Sequence, residues 1–322
     1  MILIGLLDPL DIKGIRLKNR IVMPPMATEL ATTRGAVTDS LIDHYIRRSK
    51  ALGLLIVEHS YVSLGGKLSE RQLGIYDDIL IPGLKKLSDG IHAMGTPVVI
   101  QINHAGMAGT EPVSPSLNER ARELQEQEIG ILAESFAAAA KRSITAGFDG
   151  VEIHGAHGFL LCQFFSPLTN KRHDLYGGSL ENRMRFPMEI VREVKKAIGE
   201  KILLYRLGST DLDPAGIQIE ESQRFVKELQ RAGVDIIDVS GGMCGSRPTQ
   251  IQDRQGYFVP QAQQIKDVVD VPVIGVGGIR DPEYANELIQ KGQIDLVAVG
   301  RSLLRDPDWA VKAVRTLEKD LL

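Results

Sequence analysis

Eight short runs of aliphatic and β-branched residues recur along the chain, and they constrain its fold more than any other feature. They occupy 21–23, 54–58, 98–102, 150–154, 202–207, 236–240, 273–276 and 296–300. Their apolar character is continuous rather than alternating, which suits parallel strands buried on both faces. Amphipathic stretches lie between them. In 129–146, Ile131, Leu132, Phe136, Ala139, Ala140 and Ile144 recur at helical spacing. The stretch 181–198 follows Ser179, a plausible cap whose partner three residues on is Asn182 rather than the Glu or Gln of a full capping box. Further helices are expected after Asp281-Pro282 and Asp306-Pro307, where Asp can cap and Pro can open the first turn.

Alternation of this kind defines the α/β class. Eight repeats without a Pro/Gly/Ser-rich linker predict one closed (β/α)8 barrel, the TIM barrel, with 1–322 as a single domain. A doubly wound open sheet would carry a glycine-rich dinucleotide turn after its first strand. Here that strand runs into Met23-Pro24-Pro25-Met26 instead. The segment 8–19 reads as a short N-terminal hairpin around Lys13-Gly14 that closes the barrel's bottom. Two segments poor in periodicity, 105–126 and 164–179, follow strand C-termini, where a barrel places its active-site loops.

Composition narrows the function. The net charge is −3 and Lys and Arg are spread evenly, so neither a nucleic-acid-binding block nor an acidic arm is present. The apolar opening 1–7 has no basic residue before it and ends at Asp8-Pro9, too short for a signal sequence or a membrane span. Two cysteines, Cys162 and Cys244, make neither a disulfide framework nor a thiolate metal site, and the cytoplasm is the expected compartment.

The expected strand ends carry the chemistry. Gly275-Val276-Gly277-Gly278 and Val299-Gly300-Arg301 close the last two strands. Glycines there let backbone N–H groups approach an anion, and Arg301 adds a bidentate charge, at the place where barrels bind phosphate. Gln101 and Arg206 end the third and fifth strands. They suit either a polar heterocycle such as a flavin ring or a polar network in the barrel core. His154 and His157 close the fourth strand. No third ligand completes a metal site, so paired donation to a carbonyl or oxyanion is the preferred role. His59 and His104 also follow strands. No lysine stands at a strand end to support a Schiff-base aldolase.

With these residues in place, the chain resembles the Old Yellow Enzyme family of FMN-dependent NAD(P)H oxidoreductases. The similarity runs from Leu17-Lys18-Asn19-Arg20 to Arg305-Asp306-Pro307. It is most specific at Ser166-Pro167-Leu168-Thr169-Asn170 and at Asp174-Leu175-Tyr176-Gly177-Gly178-Ser179-Leu180-Glu181-Asn182-Arg183. The resemblance implies FMN lying on Pro25, Met26 and Ala27, its ring touched by Gln101 and Arg206. It puts the phosphate on Gly277, Gly278, Gly300 and Arg301. It implies that His154 and His157 grip the carbonyl or nitro oxygen of a small-molecule substrate. The implied reaction is reduction of FMN by NADH or NADPH, followed by hydride transfer to an activated alkene. Family members are often dimers or tetramers, so a homo-oligomer is implied with its symmetry open.

Three positions depart from the family pattern. Phe159 stands where a proton-donating tyrosine is common. Ala27 replaces a Cys or Thr that tunes the flavin. His59 stands where a small residue is usual, and can replace the donor, narrow the pocket or simply be solvated. These departures keep two alternatives open: a flavin dehydrogenase or demethylase oxidising an amine or alcohol, and a catalytically weakened FMN-binding protein. The family's longer branch continues into a cysteine cluster for an iron–sulfur centre. With no such cluster in this sequence, direct hydride transfer from a soluble nicotinamide is expected.

Overall fold

In a computed structural model, which describes residues 4–319, eight parallel strands close into a barrel. They are β1 (Ile21–Met23), β2 (Leu54–Tyr61), β3 (Val98–Asn103), β4 (Gly150–Gly155), β5 (Ile202–Gly208), β6 (Ile236–Ser240), β7 (Val273–Gly275) and β8 (Leu296–Ala298). Closure comes from β8 on β1, with Val297 opposite Ile21 and Ala298 opposite Val22. All eight expected runs are strands. The last two stop short of Val276 and Gly300 because their ends turn into glycine loops.

Side chains alternate along each strand, so every second residue enters the barrel. At the N-terminal end these are apolar: Val22, Leu54, Ile56, Val99, Leu204, Ile236, Ile274 and Leu296. The expected hairpin pairs Leu10–Ile12 with Ile15–Leu17, its turn made by Lys13 and Gly14 at φ 46° and 78°. It delivers Ile12 and Leu17 into the same cluster, and so plugs the bottom. Each such side chain taken from water is worth roughly 1.5–3 kcal/mol. Going up the strands the interior turns polar: Val99 gives way to Gln101 and Asn103, Leu204 to Arg206, and Ile236 to Asp238 and Ser240. The apolar floor holds the barrel shut; the polar storey above it holds the site.

The outer helices follow the expected pattern with local differences. One spans Glu126–Thr145, starting before residue 129, because Gln125 and Glu128 form a reciprocal capping box. Another spans Leu180–Ile198, with Ser179 Oγ accepting from the Asn182 amide. Asp281 caps the helix Pro282–Gln290. After Asp306-Pro307 the helix begins only at Trp309, since Asp306 first accepts from the Asp308 amide in a turn. The segment 164–179 is not wholly loop, as its first two residues end a short buried helix, Leu160–Phe165. Of the apolar opening, residues 1–3 lie outside the described residues.

Candidate active site

Two histidines and a phenylalanine meet where β4 ends. The His154 and His157 rings lie edge to face, 5.0 Å between centroids, and Phe159 lies 4.9 Å from His154. His157 sits in the left-handed region at φ 57°, uncommon for a residue with a side chain, and its amide is held by the Gly241 carbonyl. The Ala156 amide donates to His154 Nδ1 at 3.3 Å, which leaves the ring proton on Nε2. Ser240 Oγ lies 2.7 Å from His157 Nε2; with the hydroxyl donating, that ring carries its proton on Nδ1. Burial, then neighbouring positive charge including Arg206, pushes both pKa values well below the ordinary histidine value. At neutral pH both are neutral N–H donors.

His59 reaches the same mouth from β2, 6.2 Å from His154 and 5.5 Å from Phe159. Its Nδ1 accepts from Gln72 Nε2 at 2.8 Å, and burial lowers its pKa to about 4. It therefore presents Nε2–H as a neutral donor rather than an imidazolium able to release a proton. His104 does not join the group: its Nδ1 accepts from the Gly106 amide and its ring packs beneath Gly66.

Beneath the histidines lies a buried polar network. Gln101 Nε2 donates to Glu152 Oε1 at 2.8 Å, and Arg206 Nε lies 3.4 Å from Asp238 Oδ2. Both carboxyl groups are fully buried. Burial raises the Glu152 pKa well above the usual carboxylate range and also raises that of Asp238, while the Arg206 guanidinium opposes both. Gln101 and Arg206 are thus tied into the barrel-core network that sequence left open.

A cleft with about 540 Å³ of empty space opens beside Arg206 and Ser240 and runs to the ends of β7 and β8. Met26, Arg206, Gly278, Gly300 and Arg301 line it, as expected. Pro24 lines it rather than Pro25, which is buried; Ala27 and Gln101 are also outside the lining. Gly277 stands just behind, its carbonyl accepting from the Gly256 and Tyr257 amides. These glycines are required by space. A Cβ on Gly278 would lie 2.7 Å from Arg301 Nη2, and one on Gly300 2.8 Å from Met26 Sδ. A Cβ on Gly277, where φ is 131°, would meet the Tyr257 amide nitrogen at 2.6 Å.

Sequence reasoning did not find Tyr257, Ser240, Glu152 or Asp238. Tyr257 Oη accepts from Arg301 Nη2 at 3.2 Å and so aims the guanidinium. It lies in a long aperiodic loop that offers no signal. The other three had one: Glu152 stands two residues before His154, and Asp238 two before Ser240, all on inward-facing positions.

Fold and site together define a barrel whose open end joins a cleft lined by glycines and arginines to neutral imidazole donors. The chain belongs to the NADH:flavin oxidoreductase / NADH oxidase family, whose profile matches residues 5–320. It is 43% identical over 306 residues to an NADH oxidase of Thermoanaerobacter brockii, covering 89% of this chain and 47% of that protein. It is 39% identical over 300 residues to an NADPH dehydrogenase of Clostridium acetobutylicum, covering 89% and 88%. Among solved structures, a 2-naphthoyl-CoA reductase with 2-naphthoyl-CoA superimposes with TM-score 0.91 at 29% identity, covering 97% of this chain and 52% of that one. The chain thus spans about half the length of the first curated relatives it matches.

The family's cofactor is FMN, with a nicotinamide reductant, and the residues fit it. Gly278 and Gly300 keep that end of the cleft free of side chains, Arg301 offers a positive charge beside them, and Arg206 faces the far end of the cleft. No helix among the described residues is long and apolar enough to cross a membrane, and no cluster of three potential metal ligands occurs among them.

Proposed function

We propose that this protein is an FMN-dependent oxidoreductase, reduced by NADH or NADPH, that passes hydride to an activated alkene or a similar small acceptor. One observation carries the reading: a single cleft joins the Gly278–Gly300–Arg301 cradle to Arg206 and Ser240, and Ser240 touches His157. When bound there, FMN supplies hydride acceptance and donation. The protein's own residues do the rest. Gly277, Gly278, Gly300 and Arg301 would hold the FMN phosphate, and Met26 and Arg206, which line the same cleft, would hold its ring, with Pro25, Ala27 and Gln101 standing just outside that lining. His154 and His157, neutral and fixed, donate to the acceptor's oxygen and stabilise the negative charge that develops on it. Ser240 and the Ala156 amide hold those rings, so little reorganisation is left for the reaction itself.

The reading takes the chain as one catalytic unit over 1–322, acting on small molecules in the cytoplasm. Two unpaired thiols, one of them buried, support a reducing compartment. A homo-oligomer rests on the family resemblance and is read by sedimentation.

The test is a phenol titration of the FMN-loaded protein, followed in the visible spectrum. With His154→Ala and His157→Ala the flavin should remain bound while half-saturation rises at least about tenfold, the loss of one strong hydrogen bond. Loss of FMN, or unchanged phenol binding, would give the histidines a structural role instead.

A further inference from the structure

The cradle's Arg301 also forms one wall of a second, adjoining cleft with about 620 Å³ of empty space. Four more arginines line it: Arg247, Arg254, Arg280 and Arg305. They come from separate places, the loop after β6, the loop after β7 and the helix Arg301–Arg305. No Asp or Glu lines either cleft, and none of the five arginines has a carboxylate within ion-pair distance among the described residues. Asp281, next to Arg280 in sequence, is spent capping its helix. Five positive charges thus converge on a chain whose net charge is −3.

FMN's phosphate does not account for them. A phosphate monoester carries about −1.5 to −2 charge near neutrality, which Arg301 and the glycine amides already meet. Arg247 and Arg301 line both clefts, whereas Arg254, Arg280 and Arg305 line only the second, exposed and facing one cavity. Two of the walls are positioned. Gln252 Oε1 accepts from Arg247 Nε at 2.7 Å, and Gln255 Oε1 accepts from the Arg280 and Asp281 amides, tying the loop after β6 to the loop after β7. Ser302, with its hydroxyl near the Ile279 carbonyl, lies on the same wall. Planar forks arranged in this way match phosphate oxygens bidentately.

We infer that the Arg247–Arg254–Arg280–Arg305 cleft is a second anion site that takes a pyrophosphate or ribose phosphate alongside FMN. The inference rests on the FMN reading, since it counts charge beyond FMN's own phosphate. Two sources share the chemistry: the adenosine end of the nicotinamide reductant, or a substrate that itself carries phosphate groups.

The test uses the FMN-loaded protein, titrated calorimetrically with inorganic pyrophosphate and with adenosine 2′,5′-bisphosphate. Saturable one-to-one binding is expected, weakening as salt rises. The double variant Arg254→Gln/Arg305→Gln, which leaves Arg301 in place, should bind both probes at least about tenfold more weakly at unchanged flavin content. Arg254→Lys/Arg305→Lys should recover part of the loss, because charge returns without the fork. Anaerobic bleaching then separates the sources. A raised half-saturation for NADPH in the Gln variant, at an unchanged limiting rate, assigns the reductant; unchanged NADPH behaviour with lost anion binding assigns a phosphorylated substrate. A yellow protein that ignores both probes, or a variant that binds them as well as the parent, overturns the cleft. A protein that takes up no FMN overturns the cofactor reading and, with it, the charge count.

Discussion

Replacing Arg206 with Met removes the cation that faces two buried carboxyl groups while keeping most of the side-chain volume. Asp238 has no exposed surface, neither of its oxygens has a hydrogen-bond partner among the described residues, and Arg206 Nε is 3.4 Å away. Glu152 is as deeply buried and keeps only Gln101. Breaking a buried pair by removing one member costs roughly 3–5 kcal/mol, because the other charge is left uncompensated. The loss should depend on pH. Both carboxyls have raised pKa values in the fold, and without Arg206 these rise further. A group whose folded pKa is raised contributes stability below its unfolded value and loses it as pH climbs through the folded one. The Arg206→Met deficit should therefore be smaller near pH 5 than near pH 8. Asp238→Asn on that background should recover about 1–3 kcal/mol, since no charge remains to be buried there. Urea unfolding of the four proteins at both pH values completes the cycle. A deficit independent of pH, or singles that add with no coupling, would refute the network.

Other perturbations probe the rest of the site. Arg301→Ala should weaken FMN binding by about ten- to a hundredfold, the worth of one or two charge-assisted hydrogen bonds, in a fluorescence titration of the apoprotein; full affinity would move the phosphate elsewhere. Glu58 is buried with its pKa raised from 4.5 to about 7, chiefly by burial, while the Thr28 amide and hydroxyl donate to it. It is stabilising when protonated, and the fold should lose up to about 3 kcal/mol as pH rises from 4.5 past 7. Glu58→Gln keeps the contact from the Thr28 amide, meets the Thr28 hydroxyl by donating to it, and should flatten that part of the denaturation profile; an unaltered pH dependence would place the titration in another group. Phe159→Tyr would put a phenol beside His154, and should raise the limiting rate of alkene reduction at least about tenfold with little change in half-saturation. Equal rates in stopped-flow oxidation by an enone would mean that the α-proton already has an efficient source.

The barrel was legible because strands buried on both faces write themselves as unbroken apolar runs, and because eight of them leave no remainder. The hairpin was legible from Lys13-Gly14, whose backbone takes two successive positive φ angles. At the ends of the last two strands Gly277, Gly278 and Gly300 stand where an added Cβ would crowd neighbouring protein atoms, although their expected role toward a phosphate stays a proposal. What stayed hidden depends on pairing across the barrel. Gln72 reaches His59 from thirteen residues away and fixes which ring nitrogen carries the proton, while burial keeps the ring neutral. Glu152 and Asp238 stand within otherwise apolar strands, and only the closed barrel gives them partners in Gln101 and Arg206. Tyr257, Arg247, Arg254 and Arg280 sit in loops with no period and Arg305 ends a short helix, so only the closed fold brings them together.

The most direct measurement is the visible absorption spectrum of the purified protein before and after anaerobic addition of NADH or NADPH. The account predicts flavin bands at about one FMN per chain that bleach on addition and recover with an activated alkene. A colourless protein that takes up no added FMN would contradict it outright; colour that neither nicotinamide bleaches would leave the cleft a flavin site but take away the proposed activity.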